Sequence, residues 1–319
     1  MALSTPARAA ASGAGAVQRQ LTASKADVSG RLFKTALITA LLLTLALLAA
    51  LLVDVFQGGS GTLSTRGWDF MSATLGSQPE SSGLRQAIRG TFYIGVFVVL
   101  LTFPLGISAA IYLEEYARHG RLTNFINVSI RNLAGVPSVV YGILGLTIFV
   151  KALGSLTGPE SANGRTVVSA GLTLSILVLP IVIITAAEAI RAVPNGIREA
   201  GFGVGATRWE TVRSHVVPYA APGILTGTVI ALARALGEAA PLILVGATTG
   251  FLTSGESFNP ASLRERFTAL PIVISTWSGR PGEDWAGSTS AAIIVLLAIV
   301  LLANLAAILL RNRYEKKRR

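Results

Sequence analysis

Six long blocks of apolar residues, separated by polar segments, constrain this chain more than any other feature. They run over residues 35 to 53, 90 to 113, 133 to 150, 166 to 190, 220 to 245 and 288 to 310. A helix needs about 20 mostly apolar residues to cross a hydrocarbon core roughly 30 Å thick, because each residue rises about 1.5 Å. The first, second and last blocks contain no charged residue. A soluble core would scatter its apolar residues at the period of a helix or strand instead of running them together. The expected fold class is therefore an all-α integral membrane protein with six transmembrane helices. Pro137 and Pro180 fall within the third and fourth blocks, where neighbouring helices can satisfy the backbone groups a proline frees.

Charge sets the orientation. With the N-terminus inside, the segments 1 to 34, 114 to 133, 191 to 218 and 311 to 319 hold 18 Lys and Arg among 91 residues, against 8 among 93 in the three opposite segments. The positive-inside rule then places both termini in the cytoplasm. A net charge of +11 does not point to nucleic acid, because the basic residues lie between apolar blocks and at the tails and not on one soluble face. The first block holds 19 uncharged residues, more than the 7 to 15 of a signal-peptide core, and reads as a retained anchor. Residues 1 to 34 are expected to be a disordered cytoplasmic tail, 35 to 310 a transmembrane domain, and 311 to 319 a basic tail. The Tyr314 to Arg319 run reads as a positive-inside stop and not as a lipid-headgroup site. The absence of cysteine excludes a disulfide framework, a thiol nucleophile and thiolate metal ligands.

The polar segment 195 to 218 is predicted to form two short helices meeting at a sharp bend. Residues 195 to 204 suit a short amphipathic helix closed by Gly205, since glycine readily takes the left-handed conformation that ends a helix. Thr207 with Glu210 three residues later makes a capping box for a second helix, which Pro218 is expected to end. The fifth block carries Arg234 and Glu238, four residues apart and able to pair. Each charge at that depth costs at least about 2.5 to 3.5 kcal/mol on insertion scales. The pair reads as a structural ion pair or, as the depth favours, as the lining of a translocation path. Glu188 and Arg191, near the end of the fourth block, read as interfacial and structural.

The segment Glu199, Ala200, Gly201, then Gly205, then Pro218 resembles the EAA loop of ABC importer permeases. Glu199, Ala200, Gly205 and Pro218 fall at that family's spacing; Gly201 replaces an Ala, His215 an Ile and Val217 a Leu. The resemblance implies a six-helix type I importer permease (MetI-like) fold. It assigns Glu199, Ala200, Gly201, Gly205 and Pro218 to coupling with a separate ATP-hydrolysing subunit. The string Arg234 to Leu242 (Arg-Ala-Leu-Gly-Glu-Ala-Ala-Pro-Leu) narrows the likeness, being similar to a segment of PstA-type phosphate permeases. Gly135 to Gly142 and Ala269 to Ile274 agree with it. This implies translocation of inorganic phosphate past Arg234 and Glu238, with the Ser138 hydroxyl as a further contact. It also implies a PstC-type permease partner, two copies of an ATP-binding subunit, an extracytoplasmic phosphate-binding protein and surrounding lipid. ATP and magnesium would be held by the ATPase, and no cofactor by this chain. Sulfate, molybdate or an organic solute is the alternative cargo. The Ala269 to Ile274 segment is expected at the outer membrane surface, with Trp277 and Trp285 as interfacial anchors.

Other functions fit less well. Gly201, Gly203 and Gly205 spell a glycine-rich loop, but no strand precedes them, and none of the five lysines follows a glycine as a P-loop requires. Gly58 to Gly61 resemble an intramembrane serine-protease motif. The two histidines, His119 and His215, lie in distant loops, so Ser60 has no base and no metal site forms. A channel or secondary transporter would be signalled by inverted repeats, and none is evident.

Overall fold

The computed structural model describes residues 28–118, 120–247 and 263–316. The expected disorder before Val28, His119 and the closing Lys317, Arg318 and Arg319 lie outside the described residues. Every regular element is helical, and no strand occurs among the described residues.

The chain forms α1 (Val28–Ser72), α2 (Arg85–Tyr116), α3 (Arg121–Ala134), α4 (Ser138–Ala152), α5 (Val167–Arg191), α6 (Asn195–Gly203), α7 (Arg208–Gly237), α8 (Ala240–Val245), α9 (Leu270–Trp277) and α10 (Glu283–Lys316). Five of these helices, α1, α2, α5, α7 and α10, are long and apolar enough to cross a membrane. The bent pair α3 and α4 meets the same measure of length and composition when its two parts are taken as one span, for up to six crossings.

The chain divides into two compact units, one ending at Asp54 and one running from Val55 to Arg319. The first unit includes the start of α1, whose apolar side chains from Leu37 to Leu52 are exposed, as a lipid-facing helix requires. Helix begins at Val28, and Leu32 and Phe33 extend the apolar run backwards past Lys34. The 45 residues of α1 make a helix about twice the length a hydrocarbon core demands. It kinks at Gly67, whose φ of 30° and ψ of −105° lie outside the helical region.

In the second unit α5 is the central element, packed between α2 and α7. Its buried face runs from Val167 through Ala170, Leu174, Val178 and Val182 to Ile190. Between apolar helices in lipid, association depends on close packing of small residues. Gly227 of α7 meets Thr185 of α5 so closely that a β-carbon there would clash with the Thr185 side chain. Leu100, Leu301 and Leu302, by contrast, face outward.

Three expectations about the spans need correction. The third block is not a straight helix: α3 and α4 meet at 99°. Gly135 ends α3, and Pro137, whose ring cannot continue the hydrogen-bond ladder, begins the new direction. The fifth block also breaks. Glu238 leaves the helix with ψ of 116°, because Pro241 has no N–H for the Gly237 carbonyl and its ring would clash there. Finally, Trp277 and Trp285 are buried, not interfacial. Their rings lie 5.4 Å apart, with Phe70 6.3 Å from Trp277. The short α9 carries Trp277 into this cluster, and the Leu270 N–H donates to the Thr91 hydroxyl of α2 at 2.9 Å.

The serine-protease resemblance dissolves in the same way. Gly58 and Gly59 lie within α1 and let α10 approach: a β-carbon on Gly59 would sit 2.7 Å from the Ala291 nitrogen. Ser60 donates its hydroxyl to the Gln57 carbonyl of its own helix.

Candidate functional site

Two places in the fold collect the residues the sequence singles out. The first is the bend between α5 and α7. Pro194 opens α6, and Gly205 closes it with φ of +80°, a conformation that costs a residue bearing a β-carbon roughly 1 to 2 kcal/mol. The bend is held by Gly205 N–H donating to the Phe202 carbonyl at 3.0 Å and Ala206 N–H to the Gly201 carbonyl at 3.1 Å. The capping box forms as expected. The Thr207 hydroxyl accepts from Glu210 N–H at 3.3 Å, and the Glu210 carboxylate accepts from Thr207 N–H at 2.8 Å. Gly201 is buried against α7, where a β-carbon would meet the Thr211 hydroxyl at 2.7 Å. Glu199 and Ala200 face outward, beside the exposed side chains of Phe202, Val204 and Trp209.

Pro218 does not end the second helix. Helix α7 passes through it, because residues Val212–Val216 adopt a π turn in which Val217 N–H donates five residues back to the Val212 carbonyl. The wider turn takes up the proline ring where an α-turn would clash. His215, the departure from the EAA pattern, sits in this turn and points outward, so it does not disturb the packing beneath.

The second place lies where α7 breaks. Arg234 Nε donates to the Glu238 carboxylate at 3.3 Å, with the arginine side chain 42% exposed and the glutamate 19%. The pairing expected from sequence is present, although Glu238 has already left the helix. The Pro241 that follows packs against α4, where a β-carbon on Gly142 would lie 2.8 Å from the Pro241 Cα. Two separate sequence strings, Gly135 to Gly142 and Arg234 to Leu242, therefore meet in space. Tyr141 braces the junction. Its hydroxyl donates to the Leu133 carbonyl at 2.8 Å across the α3–α4 bend, and Arg234 lies within electrostatic reach of it. Ser138 is half-buried at the start of α4 and forms no hydrogen bond with Arg234 or Glu238. Sequence reasoning missed Tyr141 as a brace, although it stands within a string already singled out.

Residues 102–319 match the family of binding-protein-dependent transport system inner membrane components. The chain belongs to this family. As an ABC importer permease it is a multi-pass inner-membrane protein. It is 31% identical over 285 residues to the probable ABC transporter permease protein YqgI of Bacillus subtilis, covering 85% of this chain and 92% of that one. It is also 31% identical over 284 residues to the phosphate transport system permease protein PstA 1 of Mycobacterium tuberculosis, covering 88% and 87%. The permease fold is shared with a bacterial alginate ABC transporter crystallised with its alginate-bound periplasmic protein. The TM-score is 0.60 at 18% identity, over 88% of this chain and 95% of the other. These likenesses bear out the MetI-like permease architecture read from the EAA loop.

Proposed function

We propose that this permease is the PstA-type half of an importer that carries inorganic phosphate into the cell. The observation that carries the reading is the state of Arg234. Glu238 engages its Nε edge, which leaves the Nη1 and Nη2 edge outside the pair and 42% of the side chain accessible. A guanidinium edge with two parallel donors matches two oxygens of a tetrahedral oxyanion. The likeness to PstA 1 supports phosphate as that oxyanion. Sulfate or molybdate would suit the same fork and is the competing cargo.

On this reading the positive-inside rule puts the α6 bend in the cytoplasm. Its exposed Phe202, Val204 and Trp209, with Glu199 and Ala200, form a small protruding surface suited to a groove on an ATP-binding subunit. A PstC-type chain completes the pathway, and an extracytoplasmic phosphate-binding protein delivers the cargo. ATP and magnesium act on the motor, not on this chain. ATP drives the cycle only by binding one conformation of the assembly more tightly than the other. The motor's closure moves α6, and with it α7, which follows after the Gly205 bend and carries Arg234 in its last turn.

The test is uptake of radiolabelled phosphate by the complex reconstituted in vesicles with ATP inside and binding protein outside. Phosphate accumulation that excess sulfate leaves unchanged is the expected result. Accumulation abolished by sulfate would reassign the cargo, and no ATP-dependent accumulation would overturn the import reading.

A further inference from the structure

Helix α2 ends in a π turn, Tyr112–Tyr116, and three consecutive residues of that turn each hold an arginine from a different element. Arg191, the last residue of α5, grips both oxygens of Glu114, with Nε donating to Oε2 at 3.1 Å. Arg198 of α6 donates from Nε and Nη2 to Glu115 Oε1 at 3.1 and 2.8 Å. Arg208, the first residue of α7, lies over the ring of Tyr116, its guanidinium carbon 5.2 Å from the centroid.

The middle contact dominates. Glu115 is 6% exposed, and the Arg198 side chain that meets it also donates to the Val193 carbonyl at 2.7 Å and the Ile190 carbonyl at 3.0 Å. One guanidinium thus joins the end of α2, the end of α5 and the body of α6. A buried carboxylate that loses its partner is strongly destabilising, whereas an exposed pair contributes little. The Arg191 side chain is 56% exposed, so it and Arg208 steady a joint that Arg198 makes.

Connectivity gives the joint its meaning. Helices α5 and α7 are joined to α6 through the backbone, so any displacement of α6 reaches them directly. Helix α2 is more than 70 residues distant in sequence from Arg191; it packs along α5, and these side chains tie its end to α6 as well.

We propose that Glu114, Glu115 and Tyr116 form a socket by which α6 moves α2, with Glu115 and Arg198 as its positioning pair, so that α2, α5 and α6 travel as one body during transport. The inference rests on the reading that α6 is the segment a motor moves.

The chain has no cysteine, so pairs of spin labels can be placed at will. In the assembled complex in lipid, labels at Leu105 of α2, which is exposed, and at Gly196 of α6, where a β-carbon would have open space, report the α2–α6 distance with and without trapped ATP. The wild-type distance is expected to stay narrow and to change by no more than the 1 to 2 Å of a small helix shift. Glu115→Gln is expected to broaden it. In that variant solute imported per ATP hydrolysed should fall roughly two- to thirtyfold, the range for residues that carry coupling, while ATP hydrolysis continues. Arg198→Lys, which keeps the charge but loses the fork, should fall between. A wild-type distance that shifts by about 5 Å, a full helical turn, would overturn the proposal. An unbroadened Glu115→Gln with an unchanged ratio would do the same. Should Glu115→Gln fail to assemble, the wild-type distance still decides. Because the distance needs no transported solute, its failure leaves the phosphate reading standing, and a failed phosphate assay leaves the socket standing.

Discussion

Gly142 of α4 and Pro241 at the start of α8 are in such close contact that a β-carbon on the glycine would lie 2.8 Å from the Pro241 Cα and 2.7 Å from Leu244 Cδ1. This contact brings the bent third crossing against the break in the fifth, and it fixes where the Arg234–Glu238 pair stands. Gly142→Val is therefore expected to force the two short helices apart. Overpacking of this kind typically costs about 1 to 3 kcal/mol. The purified complex should melt several degrees lower, and uptake should fall more steeply than assembly; unchanged melting and uptake would refute the contact's role.

Arg234 gives the sharpest functional substitution. Arg234→Ala should abolish uptake while the complex still assembles. Arg234→Lys should recover only part of it, because lysine retains the charge without the planar fork. Initial rates of uptake beside gel filtration of the complex separate the two effects. Wild-type uptake in Arg234→Ala would return the pair with Glu238 to a structural role.

Gly205 holds a backbone conformation that favours glycine. With φ of +80°, Gly205→Ala should strain the bend by roughly 1 kcal/mol or more. Binding of the ATPase subunit in a pull-down should weaken with the rest of the fold unchanged by circular dichroism. Gly203→Ala, at a helical glycine with open space around its β-carbon position, should have no such effect.

Pro218 makes the opposite prediction. Because the π turn at Val212–Val216 already accommodates the ring, Pro218→Ala should leave helix α7 continuous and uptake close to wild type. Loss of transport in that variant would show that the proline does more than the turn reveals.

The six apolar blocks made the membrane class readable, and Gly205, Thr207 and Glu210 made the bend readable, because each acts within a few residues of itself. The spacing of Arg234 and Glu238 announced their pair for the same reason. What escaped sequence reading depends on distant partners. Pro137 stands at a 99° bend and Pro218 is passed without a break because Gly135 has already ended the helix before the first, whereas the π turn at Val212–Val216 carries the helix into the second. Trp277 and Trp285 carry the composition of interfacial anchors, but Phe70 supplies a buried ring cluster for them. Glu115 and Arg198 lie 83 positions apart, and a π turn has no residue signature. The only hint was two adjacent glutamates at the end of an apolar block.

The central claim is that the α6 bend is the surface on which a separate ATPase acts. A single cysteine placed at Phe202, exposed on α6 in a chain with no other cysteine, should crosslink to the ATP-binding subunit in membranes, with a yield that changes when ATP is bound. Absence of any such crosslink, or labelling of that cysteine by an impermeant reagent from outside intact cells, would contradict it.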